Sequence, residues 1–466
     1  MGKKYLNYFI LLVLKLICIS FNKKIIIPIK LIDHSNTGLN YIESLLQKQL
    51  YAEIILGTPE QKIYLSISTE TESFSIESKY INENFYFHNA SSTHINTENK
   101  VSLFHERYAS GKIFKDSFYF NTYFNSKIVN VYKNISFDYI FELSKEYTIN
   151  EKPYYVDKEK NQISGTIGLQ ISKSYMSSSN FLKSLYKANV IEASIWSLKF
   201  DKENKKEGYL IVGENLFDNK EDGKRANAYL SGIDSYWYFI FNYIQTENTK
   251  FLNGERKAEY APQIGVIIGT NEYKSYINQN FFADLLENNM CSQKNVTVNR
   301  RKYSYYECDK NIDINNFEPL IFIHQEFSYN FTLDSNDLFV DYNDKKYFLC
   351  VFLENENRDD NDWVLGIPFV KKYNFVFDHD SKIIIFYEKD YEIRKNNRKI
   401  GWVAWIFIVI LIIITSLLTL YLLFKIIFRP KKIIANELED SFNIKNRNND
   451  LDLNTFYNSK YNKLGI

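Results

Sequence analysis

Residues 56–78 read Leu-Gly-Thr-Pro-Glu-Gln-Lys-Ile-Tyr-Leu-Ser-Ile-Ser-Thr-Glu-Thr-Glu-Ser-Phe-Ser-Ile-Glu-Ser, and no other stretch restricts the fold as tightly. Gly57-Thr58-Pro59 is a turn signal, and Ile63, Leu65 and Ile67 alternate with Lys62, Tyr64 and Ser66 in the period of a half-buried strand. A strand closing in a tight turn at Ser68-Thr69-Glu70 is the expected local structure. Composition points the same way. Tyr (37) and Phe (36) are abundant while Gly (16) and Pro (7) are scarce, so strands dominate and Asn and Asp must supply many of the turns. With 466 residues, 45% of them hydrophobic, the chain can bury one large or two medium cores. A net charge of +1 gives no electrostatic handle on nucleic acid or on a strongly charged substrate.

The two ends set the expected compartment. Lys3 and Lys4 precede an apolar run from Leu6 to Ser20, interrupted by Asn7 and Lys15, which reads as a secretory signal over residues 1–22. Residues 402–424 carry no charged side chain and are long enough to cross a bilayer as a helix. Trp402 and Trp405 stand at one interface; Lys425, Arg429, Lys431 and Lys432 stand at the other. Arg394, Lys395, Arg398 and Lys399 blunt the charge asymmetry, so orientation rests on the signal. The expectation is a single-pass type I protein of the secretory pathway, the cell surface or a lumenal organelle, with a cytosolic tail at 425–466. In that tail Tyr461-Asn462-Lys463-Leu464 fits a Tyr-x-x-apolar sorting peptide that adaptors read as an extended strand. Cys18 lies in the signal; Cys291, Cys308 and Cys350 face an oxidising compartment. No cysteine or histidine spacing suggests a metal site, and no cofactor is expected. Ile25-Ile26-Ile27-Pro28-Ile29-Lys30 reads as an edge strand closed by His34-Ser35-Asn36.

Several further motifs agree in order and spacing. Gly165-Thr166-Ile167-Gly168-Leu169 is a short Gly-ended strand, and Asn180 caps a stretch with Phe181, Leu182, Leu185, Tyr186 and Val190 on one helical face. A strand at Ile195-Trp196-Ser197-Leu198-Lys199-Phe200 is followed by Gly208-Tyr209-Leu210-Ile211-Val212-Gly213-Glu214-Asn215. An aromatic strand, Tyr236-Trp237-Tyr238-Phe239-Ile240, comes next. Asp362-Trp363-Val364-Leu365-Gly366-Ile367-Pro368-Phe369, then Tyr373 and Val376-Phe377-Asp378, closes the series. Taken with Gly57-Thr58-Pro59-Glu60-Gln61, this arrangement resembles the pepsin-like aspartic proteases over residues 45–390, in the membrane-anchored layout of the plasmepsins.

The resemblance implies an all-β, bilobal double β-barrel with a central cleft. Its lobes would be residues 23–200 and 201–390, joined through a linker at 391–401 to the transmembrane helix. By position it implies a Cys308–Cys350 disulfide with Cys291 left over, although Cys291 could instead pair with Cys308. Where the family carries its first aspartate the chain has Ser68; Thr69 is retained, and Glu70 replaces the turn glycine. Residues 101–116 occupy the place of the flap hairpin, with Phe104 at the flap tyrosine and Ser75 at that tyrosine's tryptophan partner. In the second lobe, aligning Gly265 on the motif's glycine puts Gln263 at the other aspartate and Ile264 at its threonine. No Asp occurs between Asp33 and Asp116 or between Asp234 and Asp284.

Aspartic proteolysis needs two carboxylates close enough to share a proton, one acting as base on water and the other as acid. A serine hydroxyl and an amide supply neither role. Glu70, Glu72, Glu259 and Glu272 flank the two positions but are offset along the chain. Serine catalysis at Ser68 would need a histidine base from among His34, His88, His94, His105, His324 and His379. His379, on the turn after Asp378, reads as a solvated loop residue. The expected function is a membrane-anchored pseudoprotease that binds an extended peptide or protein partner through its cleft or its surface. The alternative is an active aspartic-type endopeptidase with a degenerate site.

Overall fold

The computed structural model describes residues 24–32, 40–47, 49–77, 86–103, 109–121, 129–143, 162–171, 180–202, 204–214, 223–228, 236–247, 250–354, 363–388 and 414–425. The chain forms two units, one up to Lys395 and one from Asn396 onward. Among the described residues the first unit is built on two sheets of 13 and 11 strands, as the aromatic and β-branched composition predicts.

Six strands of the larger sheet close on themselves. Leu50–Leu56 pairs with Gln61–Ser68, which pairs in parallel with Gly165–Gly168; Phe74–Glu77, Val129–Leu143 and Ala109–Asn121 continue the ring back to Leu50–Leu56. The core of this barrel is aromatic. Phe74 packs against Phe118, Phe137 and Phe181 with ring centroids 4.9 to 6.3 Å apart. Gln61–Ser68 was expected to be half-buried and is instead covered on both faces. Ile63, Leu65 and Ile67 enter the main core, while Tyr64 joins Ile32, Tyr51 and Ile163 in a small cluster behind it.

The same sheet runs out of the barrel through Ile25–Leu31, Glu207–Val212, Ile195–Phe200, Asn374–Asp378, Ile383–Tyr387 and Lys224–Asn227. Strands from both ends of the unit are therefore interleaved here. Ile25–Leu31 is an interior strand rather than an edge, because it pairs with Glu207–Val212 on one side and Leu50–Leu56 on the other. Pro28 is tolerated because the second neighbour reaches only Ile29, Lys30 and Leu31. Asn180 accepts from Lys183 N at 3.0 Å and caps the helix Phe181–Lys187 as predicted. Phe181, Leu182 and Leu185 are buried, but Tyr186 is 52% exposed, off the face assigned to it.

In the smaller sheet, Lys250–Tyr260 lies between Tyr238–Gln245 and Trp363–Leu365, and Ile267–Gly269 between Trp363–Leu365 and Cys350–Glu354. The disulfide joins Cys291 to Cys308, and Cys350 is a buried free thiol. The Cys308–Cys350 pairing is thus corrected by strand register. Cys291 and Cys308 stand directly opposite one another in the hairpin of Cys291–Val298 and Arg301–Asp309. Cys350 instead sits opposite Ile267, and burial holds its thiol well above the ordinary range.

Within the second unit the described residues, 414–425, are helical, with Leu417, Leu420, Tyr421 and Phe424 about 60% exposed. They cover the end of the expected membrane span. No described helix is long and apolar enough to cross a membrane. The signal, residues 402–413, and the tail with Tyr461 and Leu464 lie outside the described residues.

Candidate functional site

The first loop is built by backbone bonds around Gly168. Strand Gln61–Ser68 ends with Ser68 beside Gly168. Leu169 N donates to Ser68 O at 2.8 Å, Gly168 N to Ser73 O at 3.0 Å and Gln170 N to Thr71 O at 3.1 Å. The loop lies so close that a Cβ on Gly168 would meet Thr71 O at 2.5 Å and Ser73 O at 2.6 Å. Glycine is required for this contact. Inside the loop Ser68 Oγ accepts from Glu70 N at 3.1 Å, so the serine turns back on its own turn.

The second loop follows the same plan and then departs from it. Tyr260 stands beside Leu365, just as Ile67 stands beside Ile167, so Gly366 is the counterpart of Gly168. Ala261 N continues the ladder to Leu365 O at 3.0 Å. Ala261 is therefore the positional equivalent of Ser68. Gln263, the residue matched by alignment on Gly265, lies two further along. The reason is a local turn: Ile264 N donates to Ala261 O at 3.2 Å, and Ile367 N donates to Ile264 O at 2.9 Å. Neither Ala261 nor Gln263 carries a carboxyl group.

The two loops meet through Thr69. Its Oγ1 donates toward Tyr260 O at 2.8 Å and Gln263 Oε1 at 3.0 Å, and its N–H reaches the same Oε1 at 3.3 Å. The amide orientation follows, since a backbone N–H needs an acceptor. Thr69 is fully buried and Gln263 nearly so, and Gln263 Nε2 has no hydrogen-bond partner among the described residues. A segment near the start of the chain holds the second loop from the other side. Gln49 N donates to Gln263 O at 3.0 Å and Gly265 N to Leu45 O at 2.7 Å. Ile42, Leu45 and Leu46, on and just after the helix Tyr41–Leu45, pack with Ala261, Ile264 and Val266.

The remaining expected groups lie around this centre. Glu70 and Glu72 are half-buried beside the first loop, and Glu272 is exposed in the first turn of the helix Asn271–Ile277. Glu259 is buried, but its strand neighbours Ala258 and Tyr260 face the main core, so its carboxylate occupies the opposite face. Ser75 is half-buried between Asp138 and Thr166. The hairpin expected to be the flap forms from Ile95–Leu103 and Ala109–Asn121; Phe104 lies outside the described residues.

Two buried carboxylates of the barrel, one of them beside the first loop, were not singled out from the sequence. Asp138 accepts from Ser73 Oγ at 3.0 Å, and Asp116 takes the Tyr86 and Thr93 hydroxyls together with Ser117 N. Both sit on barrel strands among apolar residues, which is the signal that could have found them.

No described histidine serves Ser68 as a base. His324 Nδ1 accepts from Phe327 N, and His88 Nδ1 bonds the Tyr139 hydroxyl. His94 lies between the His88 and Phe114 rings. His379 is not the solvated loop residue expected. Its Nε2 accepts from Trp196 Nε1 at 3.1 Å, the ring lies against Trp237, and burial lowers its pKa to about 4. His34 and His105 lie outside the described residues. Among the described residues no three His, Cys, Asp or Glu groups are placed to hold a metal ion. Among the described residues the centre thus offers hydroxyl, amide and backbone hydrogen bonds and no paired acid and base.

A family model described as eukaryotic aspartyl protease matches residues 49–388. No curated protein matches the chain.

Proposed function

The chain belongs to the eukaryotic aspartyl protease family, and we propose that within it the protein is a pseudoprotease, anchored in a lumenal or surface membrane, that binds polypeptide without cutting it. One observation carries the reading. At the two places where sheet register would bring a pair of carboxylates together, the chain has Ser68 and Ala261, and Thr69 and Gln263 join the loops by neutral hydrogen bonds.

Acid–base assistance typically contributes about 10²- to 10⁴-fold, and a serine hydroxyl and an alanine methyl group cannot share a proton as two carboxylates do. The loops are nevertheless fully built, with their glycines, backbone clamps and cross-loop contacts in place. A scaffold that keeps such a site ordered supports binding as its use. The partner is an extended peptide or a protein loop, and membrane anchoring rests on the apolar run at 402–424.

Full-length protein in detergent, incubated with a diverse peptide library between pH 4 and 7, tests the reading. Retention of uncut peptides is the expected result. Turnover blocked by a statine-type transition-state analogue would overturn it and favour an active endopeptidase with a degenerate site; loss of that turnover in Glu70→Gln or Glu259→Gln would identify the carboxylate used.

A further inference from the structure

We propose that the surface of the second loop around Ala261 is a peptide-docking groove already filled by the chain's own residues 40–47 and Gln49, so that a polypeptide partner binds by displacing them. Resting on the reading of the centre as a polypeptide-binding site, the groove also defines what fits it: an aliphatic segment that presents a backbone C=O and N–H.

The segment is an addition to a hairpin that is complete without it. Leu31 pairs with Leu50, and Ile32 N donates to Gln49 O at 2.9 Å, so the strands Ile25–Leu31 and Leu50–Leu56 close on each other where the chain leaves and returns. A two-residue turn would span that gap. The chain instead detours through residues 33–48, and the described part, 40–47, lies on the other sheet. The helix Tyr41–Leu45 is too short to persist by itself. Local bonds give it shape, from Ile42 N to Asn40 Oδ1 at 2.9 Å and from Gln49 Nε2 to Ser44 O at 2.7 Å.

What holds the segment in place is the kind of contact a bound peptide makes. Leu45 O accepts from Gly265 N at 2.7 Å and Gln49 N donates to Gln263 O at 3.0 Å, one backbone bond of each polarity with the loop. Tyr260 belongs to the main core, so its neighbour Ala261 faces the opposite side of the sheet. There Ala261, fully buried, packs in one cluster with Ile42, Leu45 and Leu46. Asn40 Nδ2 donates to the Tyr305 hydroxyl at 2.9 Å, and Tyr41 stacks on Tyr342 at 4.1 Å. The position equivalent to Ser68 is therefore covered by an aliphatic segment bonded through its backbone. A partner reaching Ala261 must take the place of that segment and meet the same apolar surface, the same carbonyl and the same N–H.

A protein otherwise complete, with residues 33–48 replaced by Asn-Gly, tests the groove in detergent at pH 7. It should retain library peptides at least about tenfold more tightly than the wild type, because no tethered competitor has to leave, and the retained peptides should be rich in aliphatic residues. A synthetic peptide of residues 40–49, added at up to about 1 mM, should bind the shortened protein and compete with them, whereas the same peptide carrying Ile42→Ser/Leu45→Ser should not. Equal, measurable retention by the two proteins, or a shortened protein that ignores the 40–49 peptide, would overturn the proposal. If neither protein retains library peptides while the shortened one binds the 40–49 peptide, the groove stands and the reading of a polypeptide partner falls. Should the shortened protein not fold, Ile42→Ser/Leu45→Ser in the full-length chain decides instead. It should also gain retention, and a folded variant without that gain would sink the idea.

Discussion

Thr69 and Gln263 are the pair through which the two loops hold one another: the N–H and O–H of the threonine both converge on one amide oxygen, at 3.3 and 3.0 Å. The contact joins residues 194 positions apart and is buried from solvent. It explains how the centre stays ordered without charge. The hydroxyl, the backbone amide and the Gln263 oxygen satisfy one another, while Nε2 of the same amide has no partner among the described residues.

Thr69→Val keeps the shape of the side chain and removes the hydroxyl. Tyr260 O loses this donor, and Gln263 Oε1 retains only the long bond from the backbone. A loss of about 1 to 3 kcal/mol in unfolding free energy is expected, with an unchanged fold, measurable by urea titration at pH 7. Thr69→Ser, which keeps the hydroxyl, should recover most of it.

The register of the two loops makes a sharper prediction. Carboxylates introduced at Ser68 and Ala261 should lie close enough to interact, so that in Ser68→Asp/Ala261→Asp one titrates well above the ordinary aspartate range. The pair Ser68→Asp/Gln263→Asp should couple less strongly, since the side chain at 263 is aimed at Thr69 rather than at residue 68. Carboxyl carbon shifts followed from pH 2 to 8 rank the two, and a stronger coupling in the Gln263 pair would mean that Gln263, not Ala261, is the positional equivalent of Ser68.

How far the site was legible in the sequence follows from the range of the contacts involved. Ser68 could be located because it ends the same strand that starts after Pro59, and chain distance fixes position within one strand. Ala261 could not, because Pro262 and the turn to Ile264 change the path between the strand and Gly265, and only pairing with Trp363–Leu365 reveals it. The disulfide misled for a similar reason. Cys291 faces Cys308 across a hairpin whose register depends on the turn at Asn299 and Arg300, both at positive φ, residues that composition does not mark as glycine would. His379 looked solvated because its partners, Trp196 and Trp237, come from two distant segments. The strands and the capped helix were legible because they rest on local periodicity and a capping residue, whereas the two-sheet scaffold was implied by the resemblance of motifs spread over residues 45–390.

Acid should weaken the fold through two histidines. Burial lowers the pKa of both His324 and His379 to about 4, against an ordinary value of 6.5. Below pH 6.5 the unfolded chain takes up protons that the folded chain refuses, so stability falls as pH drops toward 4 and the effect then levels off. Each histidine contributes at most about 3 kcal/mol to this loss. Urea midpoints at pH 7 and pH 4.5 should therefore differ, and His324→Gln should reduce the difference. An equal difference in the variant would assign the acid sensitivity elsewhere.

Cys291–Cys308 and Cys350 should separate cleanly in thiol chemistry. In the unreduced folded protein Cys350 should resist iodoacetamide, because its thiol is buried and held above its ordinary pKa, and it should react once the chain is unfolded in urea. Cys308→Ser should cost about 3 kcal/mol for the loop it opens, whereas Cys350→Ser should leave the disulfide intact. A peptide map showing Cys350 bridged to Cys308 would contradict the strand register.

The glycines of the two loops should not be equal under substitution, and the difference probes which contacts hold the site. A Cβ at Gly168 would meet two backbone carbonyl oxygens of the first loop, Thr71 O at 2.5 Å and Ser73 O at 2.6 Å. Backbone that is itself hydrogen-bonded to residues 168 and 170 cannot move aside without breaking those bonds. Gly366 faces Ile264 O and Val266 O in the same way. At Gly265 the nearest atoms are instead the ends of the Leu45 and Gln49 side chains, at 2.7 and 3.0 Å, and these can rotate. Gly168→Ala and Gly366→Ala should each lose about 3 kcal/mol or more, and Gly265→Ala about 1 kcal/mol. Unfolding titrations of the three variants test the ranking. A Gly265→Ala protein as damaged as Gly168→Ala would mean that residues 45–49 clamp the second loop rigidly, as the backbone clamps the first.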